Sequence, residues 1–191
     1  MENLITTFNL WQKLKYVEPK KALLEIRDLQ HLIASSNLNH KIKNLRTQSL
    51  RKHREGWEAA LFCYGLGKLL ETTIYVCPYE KDDYDAIGLS DDGYLPIQIK
   101  EIVSEDLNPC SDINQEIAKL SKYSKTETTF VVHINRTGRL ELSEIKVPKL
   151  NIKALWLLGN SSPDQSKWFI AGNLLTEPSI FEFDYPSDKQ I

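Results

Sequence analysis

The stretch from residue 82 to residue 100, DDYDAIGLSDDGYLPIQIK, predicts two short β-strands joined by a turn at residues 90–93. On the second strand Gln98 and Lys100 are two residues apart, so both side chains leave the same face. The isoleucines that flank Gln98 leave the other face. A polar pair that ends in lysine is costly to bury, so we expect this face to open onto a site.

The residue types on these two strands are those that metal-dependent cleavage of a phosphodiester needs. Asp85 and Gln98 offer oxygen atoms to a divalent cation, and Lys100 would lie beside the attacking water and the scissile phosphate. Each residue also has an ordinary interpretation. Asp85 can be an acid beside a turn, Gln98 a core amide with satisfied hydrogen bonds, and Lys100 a side chain that extends to solvent.

Glu58 is the third acid that would complete such a site, because it lies among apolar residues in a predicted helix. The alternative is a surface charge beside a wide apolar stripe. Glu55 stands among basic residues, so we expect it to be solvated. Glu101 leaves the face opposite to Lys100 and receives no role. His133 has no partner at the spacing of metal ligands, so we expect it to be structural.

Gly56-Trp57-Glu58 on a helix, Asp85 on a strand and Gln98-Ile99-Lys100 on the next strand resemble the PD-(D/E)xK nuclease superfamily. The glutamine is similar to the Mrr-like restriction endonuclease branch, whose third motif is often Q-x-K. The resemblance covers about residues 50–135. It implies an α/β fold with a restriction-endonuclease-like mixed sheet flanked by helices, here with an N-terminal helical extension.

The resemblance also implies an activity, the hydrolysis of DNA phosphodiester bonds in restriction, defence or repair. The cofactor it implies is Mg²⁺, with Mn²⁺ as the alternative. Asp85 would be the central ligand, Gln98 a neutral and weaker one, and Glu58 would restore negative charge directly or through water. Lys100 would orient or help to deprotonate the attacking water and offset charge on the phosphate.

Two other classes of function stay open. A catalytically inactive binding or immunity protein on the same fold is favoured by Gln98, because the loss of a carboxylate weakens a metal site. The presence of Asp85 and Lys100 opposes that interpretation. The other class is an interaction protein whose first 40 residues form a docking or dimerising segment, and a homodimer is left open.

A basic segment at residues 38–54 contains no acidic residue and leads into the helix that carries Glu58. On a helix its cations could follow a phosphate backbone, and the alternative is a solvated face. The residues expected to contact DNA phosphates are Lys41, Lys43, Arg46, Arg51, Lys52 and Arg54.

Composition adds few limits on function. The 191 residues fit one domain, and a net charge of −2 indicates no global preference for a charged partner. Three dispersed cysteines without a CxxC spacing indicate neither a zinc site nor a disulfide framework, and they fit a cytoplasmic protein. The sequence contains no visible secretory signal and no apolar window approaching about 20 residues, so no membrane partner is expected.

The predicted organisation has three parts: an N-terminal helical segment at 1–40, a nuclease-like α/β domain at 41–176 and a loosely packed tail at 177–191. Apolar periodicity and cap residues predict helices over about 20–33, 41–70 and 112–122. They predict strands over 72–76, 84–89, 95–103, 128–134, 139–147, 154–158 and 167–171.

Overall fold

The computed structural model describes residues 8–35, 50–81, 84–124, 126–136, 138 and 140–187. These residues form an α/β arrangement in which one mixed sheet is flanked by helices, as predicted. The helices are α1 (Pro19–Ser35), α2 (Arg51–Leu69) and α3 (Ile113–Lys119), with short 3₁₀ turns at Leu120–Lys122 and Leu142–Glu144. The strands are β1 (Tyr75–Pro78), β2 (Ala86–Ser90), β3 (Gly93–Ile102), β4 (Thr129–Ile134), β5 (Ala154–Asn160), β6 (Lys167–Gly172) and β7 (Ser179–Asp184).

The seven strands lie side by side in chain order, from β1 to β7. β3, β4 and β5 are mutually parallel neighbours, and every other neighbouring pair is antiparallel. A parallel pair needs a crossover connection, and α3 lies in the connection between β3 and β4. Asp112 caps this helix by accepting a hydrogen bond from the Gln115 N–H at 2.9 Å, in agreement with the predicted helix start.

Two apolar clusters sandwich the sheet. On one face, here called the α2 face, the buried residues 59–63 of α2 pack with Ile97, Ile99 and Val131. On the other, the α3 face, Ile117 packs with Phe130 and neighbouring residues. Removing this apolar surface from water is the main stabilising contribution to the fold. Because side chains alternate along a strand, this packing also determines the face of the sheet on which each polar side chain of β3 and β4 lies.

The predicted strand at 139–147 is wrong. Residues 140–147, the described part of this segment, are irregular and contain the 3₁₀ turn at Leu142–Glu144. Its alternating apolar residues still pack against the core of the α3 face, so their burial is achieved without a strand. Alternating apolar residues indicate that one side of a segment is buried. In the described residues of this segment that burial occurs without pairing to a neighbouring strand.

The prediction of a loosely packed tail is also wrong for residues 179–184, which form β7 and pair with β6 along its length. Phe183 of β7 is buried on the α2 face. The Tyr185 hydroxyl donates a hydrogen bond to the Leu23 carbonyl at 2.8 Å. The C-terminal part of the chain therefore completes the core.

The N-terminal helical extension packs on the domain. Leu23 of α1 is fully buried in the cluster of the α2 face, and Trp11 packs with Tyr84 and Ile87 beside β2. The predicted boundary at residue 40 lies outside the described residues. Among the described helices, none has the length and apolar content needed to cross a membrane.

Candidate functional site

Asp85 lies immediately before β2 and alongside β3. The regular pairing of these strands ends at Ala86 and Ile97, whereas β3 continues to Ile102. The Asp85 N–H donates to the Ile97 carbonyl at 2.9 Å, and the Ile99 N–H donates to Asp85 Oδ2 at 2.6 Å. The carboxylate therefore satisfies part of the β3 backbone that β2 no longer covers.

Burial raises the pKa of Asp85 to about 6. The hydrogen bond from the Ile99 N–H favours the charged form and opposes this rise, whereas the negative charge of Glu55 adds to it. The positive charges of Lys100 and Arg51 also oppose it. Asp85 is thus the centre of a small group of charges contributed by α2 and β3.

Glu55 belongs to this group, although the sequence indicated a solvated residue. Its side chain is only 16% exposed, and its Oε1 accepts from Arg51 Nε at 2.6 Å. Its position on the first turns of α2 brings its charge close enough to affect the pKa of Asp85. The expectation of full solvation is therefore wrong, because the start of α2 packs near the start of β2.

Gln98 and Lys100 leave the same face of β3, as their spacing predicts. Each lies beside a buried apolar residue of β4 on the α3 face, Gln98 beside Phe130 and Lys100 beside Val132. Gln98 is 8% exposed. Lys100 Nζ lies 5.8 Å from the ring centre of Tyr123, within the range of a cation–π contact.

Glu58 lies on the other side of the sheet from Gln98 and Lys100. It is 1% exposed, and its Oε1 lies 2.8 Å from Nδ1 of His133. The physical reason is the docking of α2, which covers the face of the sheet that carries Ile97 and Ile99. The structure therefore does not place the four predicted catalytic residues on one face of the sheet, because Glu58 lies on the α2 face and Gln98 and Lys100 lie on the α3 face.

Glu58 instead joins Glu101 and His133, two residues to which the sequence assigned no chemistry. Glu101 of β3 and His133 of β4 are paired neighbours on adjacent parallel strands. One donor atom from each of the three residues lies within 4.8 Å of the other two. This triad of two carboxylates and one imidazole could hold a metal ion.

Arg54, one turn before Glu58 on α2, approaches the triad. Its Nε lies 3.9 Å from Glu58 Oε1, and one terminal nitrogen lies 3.7 Å from Glu101 Oε2. Both distances exceed the range of a hydrogen bond. Arg54 Nε is itself buried without a hydrogen-bond partner in the described part of the chain.

The surroundings of the triad hold its side chains in place. The Asn135 side-chain amide donates to Glu101 Oε1 at 2.8 Å. The rings of Trp57 and Trp168 lie 6.0 and 5.8 Å from that of His133, measured between centres. The imidazole therefore has an apolar wall on one side and carboxylates on the other.

The basic segment is only partly described, and Lys41, Lys43 and Arg46 lie outside the described residues. Arg51 pairs with Glu55, and Lys52 Nζ lies 2.6 Å from Glu80 Oε2. The side chains of Arg51 and Lys52 are 64% and 72% exposed, whereas that of Arg54 is 21% exposed. Two of the three described members are thus open to solvent, and the third belongs to the surroundings of the triad.

The sequence carried only a weak signal for the triad. His133 is a polar residue inside the β-rich run TFVVHI, and Glu101 follows directly after Lys100. Their partnership depends on which strands become neighbours, and the spacing of residues along the chain does not contain that information.

Comparison with known proteins gives no relative for this chain. No protein-family model matches it, and neither a curated protein nor a solved structure matches it.

Proposed function

We propose that this protein is a metal-dependent nuclease with a restriction-endonuclease-like fold that hydrolyses DNA phosphodiester bonds. The observation that carries the proposal is the position of Asp85, whose carboxylate is held against β3 at Ile99, between Gln98 and Lys100 in sequence. The charge of Lys100 influences the pKa of Asp85, which supports a shared site. A mixed sheet flanked by helices is also what the resemblance to the PD-(D/E)xK superfamily implies.

In this proposal Asp85 and Gln98 provide the oxygen ligands of Mg²⁺, with Mn²⁺ as the alternative, and the ion keeps several waters. The bound ion would stabilise the attacking and leaving oxygens. Lys100 orients the attacking water and offsets charge that develops on the phosphate. Glu58 is paired with His133, whereas the charge of Glu55 already acts on Asp85, so we assign the additional negative charge to Glu55.

Cleavage of supercoiled plasmid in the presence of Mg²⁺ or Mn²⁺ tests the proposal. We expect nicked or linear product from the wild-type protein and a loss of orders of magnitude in Lys100→Ala. The matched control is Lys122→Ala, because Lys122 Nζ lies 5.4 Å from the same Tyr123 ring and has no place in the proposed site. Equal activity of the two variants, or no cleavage of single- or double-stranded DNA by the wild type with either metal, would overturn the proposal.

The second candidate is a catalytically inactive protein on the same fold that binds DNA or another macromolecule. One observation favours it: Asp85 accepts a main-chain hydrogen bond, as a structural acid does, and its partner in the site is the neutral Gln98. This candidate predicts DNA binding that neither requires Mg²⁺ nor leads to cleavage. Fluorescence anisotropy with a labelled duplex, measured with Mg²⁺ and with EDTA, distinguishes the two.

A further inference from the structure

We propose that Glu58, Glu101 and His133 form a binding site for a first-row transition-metal ion, on the face of β3 opposite to Gln98 and Lys100, and that the positive charge of Arg54 weakens metal binding there. The proposal does not depend on nuclease activity. It rests on the donor atoms, their distances, the unusual contacts of Arg54 and the apolar surroundings.

The donor atoms select the class of metal. Imidazole nitrogen is a good ligand for Mn²⁺, Fe²⁺, Co²⁺ and Zn²⁺, whereas Mg²⁺ prefers oxygen and keeps most of its water. The triad contributes one nitrogen from His133 and oxygens from Glu58 and Glu101. Two carboxylates and one imidazole leave further coordination positions for water or a substrate.

The distances are close to what an ion needs. Donors bound to one Zn²⁺ at about 2.0–2.2 Å can be separated by at most about 4.4 Å. In the triad the donor atoms lie within 4.8 Å of one another, and the pair of Glu58 Oε1 and His133 Nδ1 is already at 2.8 Å. The hydrogen bond from the Asn135 side chain gives the Glu101 carboxylate a defined orientation.

Among the described residues Arg54 is the cation nearest to the two carboxylates, yet it forms no hydrogen bond with them at 3.7 or 3.9 Å, and its Nε has no hydrogen-bond partner there. A guanidinium usually pairs with carboxylates through short, parallel hydrogen bonds. Arg54 is also the most exposed member of the group, at 21% against 2%, 9% and 4% for the side chains of Glu58, Glu101 and His133. A divalent ion would therefore repel Arg54 toward solvent.

The test is a titration of chelator-treated full-length protein with Co²⁺, whose visible spectrum reports nitrogen and oxygen ligands, and with Mn²⁺ and Mg²⁺ by calorimetry. We expect one Co²⁺ or Mn²⁺ per chain at this site, counted separately from any ion at Asp85 and Gln98, and bound at least about tenfold more tightly than Mg²⁺. Glu101→Gln, a nearly isosteric change, should weaken Co²⁺ binding by about 100-fold. His133→Ala should remove the visible spectrum of Co²⁺ bound at this site. The thermal melting of each variant shows whether it folds. If His133→Ala does not fold, the nearly isosteric Glu101→Gln still tests the site.

Two further variants separate this site from the others. Arg54→Gln should bind Co²⁺ at least about tenfold more tightly because a repelling charge is gone, whereas Arg51→Gln on the same helix should not. Asp85→Asn should abolish the proposed nuclease activity and leave Co²⁺ binding unchanged. Absence of Co²⁺ and Mn²⁺ binding, or equal binding by wild type and Glu101→Gln, would overturn the metal site. An unchanged or weaker affinity in Arg54→Gln would overturn the role of Arg54.

Discussion

At the residue scale, Asp85 has both a structural and a proposed catalytic role. Its carboxylate accepts the Ile99 N–H and so joins the start of β2 to β3, while burial makes its ionisation unfavourable. Carboxyl groups with raised pKa values are common at functional sites, because burial and neighbouring charges there adjust the pKa values of the groups that take part in the chemistry. Structural polar networks also shift pKa values, so experiments on this residue have to separate stability from activity.

The first prediction concerns the stability of the metal-free protein. The pKa of Asp85 rises from 3.8 to about 6 on folding, so the folded state holds more protons than the unfolded state between these pH values. Its contribution to stability is therefore lost as pH rises through this window. Asp85→Asn keeps an oxygen that accepts from the Ile99 N–H. At pH 8 its free energy of unfolding should be on the order of 1–3 kcal/mol higher than that of the wild type.

Urea unfolding in EDTA at pH 4, 6 and 8 measures this difference. The increase in the free energy of unfolding of Asp85→Asn over the wild type should become smaller toward pH 4, where Asp85 of the wild type is protonated. A gain that is equal at all three pH values would show that Asp85 does not titrate in this window.

The second prediction concerns Gln98, the neutral ligand of the proposed Mg²⁺ site. Gln98→Glu adds a carboxylate beside Asp85, and a charged oxygen is a better ligand for Mg²⁺ than an amide oxygen. We expect Mg²⁺ to bind about tenfold more tightly in calorimetry. Lys100→Ala should bind Mg²⁺ at least as tightly as the wild type, since Lys100 acts on water and phosphate and its own charge repels the ion. Unchanged Mg²⁺ binding in Gln98→Glu would exclude residue 98 as a ligand.

At the scale of elements, the docking of α2 decides which residues meet. The alternation of side chains on β3 could be predicted from sequence, because Gln98 and Lys100 must share a face whatever surrounds the strand. The side on which α2 packs could not, since it depends on contacts between distant parts of the chain. For this reason the sequence predicts that Gln98 and Lys100 share a face, as they do, but it does not predict that Glu58 lies on the opposite face.

The sequence also did not predict β7, again because contacts between distant parts of the chain decide its structure. Phe181 and Phe183 carry the spacing of a strand, but a single edge strand at the end of a chain is hard to distinguish from a tail by pattern alone. What makes it a strand is the buried position of Phe183 against Gly65 of α2, which no local pattern reports. The approach of this ring to the helix gives a direct test of the packing.

The third prediction compares two glycines of α2. A Cβ added at Gly65 would lie 2.6 Å from Cζ of Phe183, whereas at Gly56 the nearest atom would be Pro78 Cγ at 3.5 Å. Gly65→Ala should therefore destabilise the protein by about 1–3 kcal/mol through overpacking. Gly56→Ala should stabilise it by about 0.5–1 kcal/mol through helix propensity. Urea unfolding measures both, and stabilisation of equal size in the two variants would contradict the packing of β7 on α2.

At the scale of the whole molecule, β3 separates two candidate centres. Asp85 approaches β3 from the start of β2, Gln98 and Lys100 project from its α3 face, and the triad of Glu58, Glu101 and His133 lies on its α2 face. The nearly neutral net charge gives the protein no overall attraction to DNA, so any attraction has to come from a local surface. The exposed start of α2 is the described surface that offers one.

The last prediction concerns this surface. Arg51 and Lys52 are exposed, and the ion pair of Lys52 with Glu80 is of the weak surface kind, so both cations are open to a phosphate. Replacing both residues with glutamine should reduce the slope of log K against log salt concentration by about 1.8 on duplex DNA, at about 0.9 per lost contact. Lys21→Gln removes an exposed lysine paired with Glu25 on α1 and should leave the slope unchanged. Arg54→Gln should also leave it unchanged, because Arg54 faces the triad. An equal fall in slope for all of these variants would indicate a general effect of charge, and no fall in the double variant would identify the start of α2 as a solvated face.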